Sequence, residues 1–167
     1  MRTHRRLSRG IGVAFAAAVA MLAAIGPAAA ATPAAVEIVS HMDFNQEGGF
    51  NTGDFEASGA AVDQGLICES GTVEDTRIIF AGFQSPTGRI QIPVRKTFTC
   101  DDGSGEIFIK IQVHLDLSSQ TETFSWVVLG GTGDYSDLRG SGGGTTVGDG
   151  SEPQTGNFNN YFGFLIG

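Results

Sequence analysis

Residues 126–148 read WVVLGGTGDYSDLRGSGGGTTVG, a strand that runs into a glycine-hinged turn and restarts as a glycine-rich strand. Just ahead of and into this stretch, Phe124, Trp126 and Val128 alternate with Ser125 and Val127, the period-two pattern of a strand with one face turned inward. Gly130, Gly131 and Gly133 follow. Three glycines in four positions mark backbone angles that side chains resist, or two backbones passing close together. Asp134-Tyr135-Ser136-Asp137 is turn-forming, because Asp and Ser side chains bond their own nearby backbone. Tyr135 and Leu138, three residues apart, are spaced to plug the open end of a sheet.

Toward the N-terminus the alternation continues. In Glu106–Leu117, Ile107, Ile109, Ile111, Val113, Leu115 and Leu117 face one way; Glu106, Phe108, Lys110, Gln112, His114 and Asp116 face the other. The turn Asp101-Asp102-Gly103-Ser104 joins this strand to the preceding one. With Phe98 opposite Ile107, Val94 falls opposite Ile111, Ile92 opposite Val113, and Arg89 opposite Asp116. A hairpin through Ser118–Thr121 then sets Leu115 by Phe124 and Val113 by Trp126, giving one inner face across three strands.

Cys68 and Cys100 are the only cysteines. In an oxidising compartment they read as a disulfide, with a pair of free thiols as the alternative. If Ala81–Thr87 is a loop, Phe80 pairs with Gly88, Ile78 with Ile90, and Cys68 lies opposite Cys100. That register carries Thr72, Glu74, Thr76, Lys96 and Glu122 onto the inner face, with Glu74 and Lys96 as diagonal neighbours. Two readings follow. The cluster is the polar end of a ligand cavity, with Glu74, Lys96 and Glu122 as candidate catalytic acids or bases. Or it is an ion pair at a barrel mouth, reaching into solvent. A bulge at Pro93 would reverse the phase and turn Lys96 outward.

Helical periodicity is nearly absent, and Gly, Asn, Asp and Pro clusters break the chain at short intervals. Strands are expected near Val36–Phe44, Gly53–Val62, Ile67–Phe80, Gly88–Cys100, Glu106–Leu117, Glu122–Leu129, Ser141–Val147 and Phe158–Ile166. Eight strands with short connections predict an all-β chain forming an antiparallel up-and-down barrel; a two-sheet sandwich is the alternative.

Arg2, His4, Arg5, Arg6 and Arg9 precede an apolar run from Ile11 to Ile25, and Ala28-Ala29-Ala30 supplies a small-residue cleavage site. This reads as a secretory signal peptide removed near Ala30; the run falls short of the roughly 20 residues that a spanning helix needs. Residues 31–35 then form a flexible N-terminus and 36–167 a single barrel domain, soluble outside the cell. Beyond Ala30, six basic residues stand against eighteen acidic ones, a net charge of −12, which disfavours nucleic acid and anionic membranes. His41 and His114 sit on the polar sides of their strands, and no Cys–His spacing fits zinc. Asp101–Glu106 is shorter than a calcium loop, and there is no nucleophile elbow or phosphate loop. Neither a metal nor a cofactor is called for.

The string Gly130–Gly140, GGTGDYSDLRG, resembles the turn of the allene oxide cyclase and dirigent barrel families, where Gly-Gly-Thr-Gly, an aromatic residue and Arg-Gly recur in this order. The resemblance covers eleven residues, with strand layout alone beyond them. It implies a barrel that holds an apolar, oxygenated small molecule, with cyclase or isomerase chemistry in some members and assembly as dimers or trimers. The inner face nominates Phe98, Ile109, Val113, Phe124 and Trp126 as ligand-lining, joined from the turn by Tyr135 and by Arg139, which either reaches inward or packs on Tyr135. Three functions compete: a secreted binder of a small apolar molecule, a cyclase or isomerase, and a solid barrel acting through its surface.

Overall fold

Alternating side chains dictate eight strands, each with one face toward a common axis. In the computed structural model, which describes residues 31–45, 47–79, 89–119 and 121–167, these are β1 (Ala34–Asp43), β2 (Thr52–Ser58), β3 (Ser70–Ile78), β4 (Arg89–Cys100), β5 (Glu106–Asp116), β6 (Thr121–Gly131), β7 (Arg139–Gly148) and β8 (Gly156–Ile166). Each pairs antiparallel with the next, and β8 returns to β1 through Ala34–Leu165 to Asp43–Gly156, closing the barrel. Closure pairs every strand on both sides and excludes the sandwich. The proposed signal peptide and the Phe80–Gly88 pairing lie outside the described residues. β1 begins at Ala34, which is buried, two residues before the expected start of the domain.

The β4–β5 register is the predicted one: Phe98 faces Ile107, Val94 faces Ile111, Ile92 faces Val113 and Arg89 faces Asp116. Ile109, Val94 and Trp126 all point into the core. The next hairpin turns one residue earlier than predicted. Asp116 pairs with Thr121, so Val113 meets Phe124 and Leu115 meets Glu122, two residues from expectation but on the same faces. Asp116 sets this turn early by accepting the Ser118 N–H at 3.0 Å.

Phe124 and Trp126 are too large for a narrow barrel unless the strands beside them are bare. β7 and β8 are: Gly144 and Gly142 are the cross-strand partners of Phe124 and Trp126, and Gly163 pairs with Gly142. A Cβ on Gly144 would lie 2.2 Å from the Phe124 ring, and Cβ atoms on Gly142 and Gly163 would lie 2.8 and 2.6 Å from the Trp126 indole. The indole Nε1 donates to the Gly143 carbonyl at 3.0 Å, satisfying the one polar atom of a buried ring. Tyr161 stacks at an angle on Phe124 and edge-on to Phe98, which meets Phe55 in the same way.

The glycine-hinged turn forms the closed end. Gly130 and Gly133 have φ of 128° and 57°, and a Cβ on Gly131 would strike the Glu106 carbonyl at 2.2 Å. Tyr135 and Leu138 are buried there as the predicted plug. The Tyr135 hydroxyl sits 2.6 Å from Ser104 Oγ and 3.4 Å from Cys100 Sγ, which can only accept because it is bonded to Cys68.

The disulfide forms, with a Cα–Cα distance of 5.9 Å, but not between opposed strand residues. β2 stops at Ser58, Gly59 turns at φ 99°, and a one-turn helix, α1 (Ala60–Asp63), replaces the end of the expected second strand. Cys68 precedes β3, and Cys100 faces Gly71. The β3–β4 phase is therefore the reverse of the prediction: Val73 faces Phe98 and Asp75 faces Lys96 on the inside, while Thr72, Glu74 and Thr76 are exposed outside. The β4–β5 register runs unbroken through Pro93; the bulge lies in β3, between Asp75 and Arg77.

The disulfide ring spans 32 positions, so replacing Cys68 and Cys100 together by Ser should cost about 3–4 kcal/mol through the freed unfolded chain. Urea unfolding of the wild type under non-reducing conditions, against the double variant, measures this.

Candidate functional site

The barrel is filled unequally. From the turn to mid-height it is solid, packed by Phe98, Ile109, Trp126 and Tyr161, all buried. Toward the other end the side chains shorten and a cavity of about 140 Å³ remains. Its walls are Ile78, Ile92, Val94, Ile111, Val113 and Phe124 from β3–β6, with Met42 from β1. The polar part is Asp75, Lys96, Glu122, Asn51, Asn157 and Asn159.

Lys96 and Asp75 are the chemical centre of this lining. Their side chains are 8% and 5% exposed, and Lys96 Nζ lies 2.6 Å from Asp75 Oδ1. The contact is an ion pair, and Oδ1 accepts no hydrogen bond from any other described group. Asp75 Oδ2 accepts from Asn51 Nδ2 at 3.0 Å. β4 delivers Lys96 inward by alternation with Phe98 and Val94; β3 delivers Asp75 by alternation with Val73. Two opposite charges this far from water hold each other in place, because either alone would bear an uncompensated desolvation cost.

A second polar chain descends beside them. Thr146 Oγ1 donates to Asn159 Oδ1 at 2.9 Å, and Asn159 Nδ2 donates to Asn157 Oδ1 at 3.0 Å and reaches Ser40 Oγ at 3.5 Å. Below it the Tyr161 hydroxyl is buried without a hydrogen-bond partner of normal geometry. Burial pushes its pKa well above the ordinary tyrosine range, opposed by the nearby Ser40 hydroxyl and reinforced by the Asp75 charge.

The predicted residues divide by height. Val113, Phe124, Lys96 and Glu122 line the cavity. Phe98, Ile109 and Trp126 belong to the solid core beneath it. Tyr135 is at the closed end, and Arg139 is exposed there, its Nη1 donating to the Leu138 carbonyl at 2.9 Å, so neither reaches the cavity. Glu74 lies on the outer surface beside Asp54 and Glu106, so its pairing with Lys96 is corrected to Asp75. Asp75, Asn51 and Asn159 went unread. Val73 was the available signal for Asp75: a lone apolar residue between Thr72 and Glu74 fixes the inner phase that also carries Asp75. Among the described residues no group of three or more His, Cys, Asp or Glu side chains could hold a metal ion, and no helix is long and apolar enough to cross a membrane.

The chain matches no protein-family model, no curated protein and no solved structure.

Removing one member of the buried pair should cost far more than removing both. Lys96→Met should cost about 3–5 kcal/mol by stranding Asp75, whereas Lys96→Met with Asp75→Leu should fall within about 1 kcal/mol of wild type. Urea unfolding of the three proteins is the measurement.

Proposed function

We propose that this protein is an exported barrel that binds a small, largely apolar molecule in its open end without turning it over. The observation that carries the reading is the cavity itself: an apolar-walled space of about 140 Å³ with a buried ion pair on its wall, above a core that is otherwise filled. Its size limits the ligand. An engineered apolar cavity of about 150 Å³ takes up benzene, whereas drug-sized molecules need roughly 300 Å³ or more. One ring fits, with any longer tail directed outward. The Cys68–Cys100 disulfide supports export to an oxidising compartment, as the basic and apolar leader does. The Gly130–Gly140 turn, closed as a barrel plug, supports kinship with the allene oxide cyclase and dirigent barrels. Lys96 and Glu122 in the cavity lining favour a second reading, a cyclase or isomerase, but Asp75 occupies the lysine and the other predicted carboxylate, Glu74, faces outward.

Toluene at millimolar concentration should raise the melting temperature of the wild type by a few degrees, as any ligand specific to the native state does. Val113→Trp, which fills the cavity, should abolish the rise while circular dichroism stays that of the wild type. An unchanged melting temperature with toluene, together with no copurifying small molecule in native mass spectrometry, would refute binding. Conversion of a copurified compound by the wild type would favour the enzyme.

The outer wall supports self-association. The outward residues of β6, β7 and β8 contain no acid, and Arg139 is their only charge. On that face Phe162 and Phe164 are 54% and 57% exposed, beside Val127 and Leu129 at 42% and 48%. Apolar surface of this kind marks an interaction site. Copies carrying −12 repel one another least where they present no charge, so the partner proposed for this face is a second copy of the chain. Light scattering behind a sizing column should give a dimer or larger assembly, and Phe162→Glu with Phe164→Glu should give a monomer with an unaltered dichroism spectrum.

A further inference from the structure

We infer that the molecule this cavity accommodates carries an uncharged hydrogen-bond acceptor, a ketone, aldehyde or ester carbonyl, and that Lys96 is the residue that takes it. The inference rests on the binding reading above and narrows it to one chemical class.

The lysine leads to this class by elimination of its other partners. An ammonium group has three N–H donors. Lys96 Nζ meets Asp75 Oδ1, and among the described residues no other acceptor is bonded to it, although the side chain is only 8% exposed. Its remaining donors open on the cavity that Lys96 lines, where an oxygen carried by a ligand can accept from them.

Its neighbours cannot supply or replace that oxygen. Asp75 has Oδ1 against Lys96 and Oδ2 on Asn51. Asn159 spends its amide on Ser40 and Asn157 and its carbonyl on Thr146. At Lys96 the wall therefore offers a ligand donors, while the Asp75 and Glu122 carboxylates are acceptors.

Charge then selects among acceptors. Asp75 already balances Lys96, and Glu122 at the half-buried rim adds a negative charge, within a chain segment that carries −12 overall. A carboxylate or phosphate would be repelled on approach and would find no unbalanced cation. A cationic head would meet the Lys96 ammonium at depth. A neutral carbonyl accepts from Lys96 without disturbing the ion pair, and Ile92, Val94, Ile111 and Val113 surround the hydrocarbon behind it. A carbonyl oxygen gives this donor the bond that water would give it in an empty cavity.

Titration calorimetry with five compounds of one size tests the assignment: cyclohexanone, cyclohexanol, methylcyclohexane, cyclohexanecarboxylate and cyclohexylammonium. Cyclohexanone should bind the wild type at least about tenfold more tightly than methylcyclohexane, the gain expected of a hydrogen bond to a charged donor. Its carbonyl stretch should move to lower frequency on binding. In the variant combining Lys96→Met with Asp75→Leu, which leaves no stranded charge, the preference and the infrared shift should both vanish while methylcyclohexane still binds. Methylcyclohexane binding as tightly as cyclohexanone, or tightest binding by the alcohol, the carboxylate or the ammonium compound, overturns the carbonyl assignment and leaves the cavity reading standing. Failure of all five to bind the wild type removes both.

Discussion

Two rings on β6 and three missing side chains on the strands beside them set the dimensions of this barrel. Phe124 and Trp126 project inward, and the space that they occupy is the space that Cβ atoms on Gly142, Gly144 and Gly163 would need. The glycine-rich run of β7 is thus the complement of the rings, not a loose segment: small residues on the neighbouring strands let the rings lie over them. The backbone entropy lost in ordering so many glycines is offset by burying two large aromatic surfaces and by the indole bond to Gly143. Once those rings are seated, mid-height is full, and open volume can persist only above them.

The position of the cavity follows. β5 carries Ile107 and Ile109 through the packed zone and brings Ile111 and Val113 to the cavity, with Phe124 beside Val113 on β6. Beside that cavity β3 and β4 insert the only oppositely charged pair among the described buried residues. An ion pair is a poor filler of hydrophobic space, and replacing one by apolar side chains is often neutral or stabilising. Keeping it beside a void is consistent with a role other than holding the barrel together.

Much of this could be read from the chain because alternation is strict where one face is buried. The β4–β5 pairing followed residue by residue from opposed Ile, Val and Phe side chains, and the Arg89–Asp116 pair closed it. The plug of Tyr135 and Leu138 followed from glycine placement. The phase of β3 did not: a loop at Ala81–Thr87 predicts an unbroken β3–β4 ladder, and the bulge between Asp75 and Arg77 breaks it, so that Cys100 meets Gly71 and not Cys68. Cys68 instead approaches Cys100 from a segment after α1, a four-residue helix whose sequence AAVD carries no periodicity to announce it. A one-residue change of phase exchanges every inward for every outward side chain, which turned Glu74 into Asp75. Which parts of the inner face border empty space was also not legible, since Phe98 and Val113 alternate identically and differ only in what stands across the axis.

Fastening is concentrated at one rim. The disulfide, Tyr135 and Leu138 gather where the β6–β7 turn meets β4 and β5, and α1 packs on β1 and β2, while the opposite rim is held by strand pairing and by Asx-type turns such as the one that Asp149 makes with Ser151. Cooperative units of unequal stability are the rule in native proteins. Here the one covalent cross-link ties strand ends together at the turn, so at the cavity rim neighbouring strand ends can part without a bond being broken.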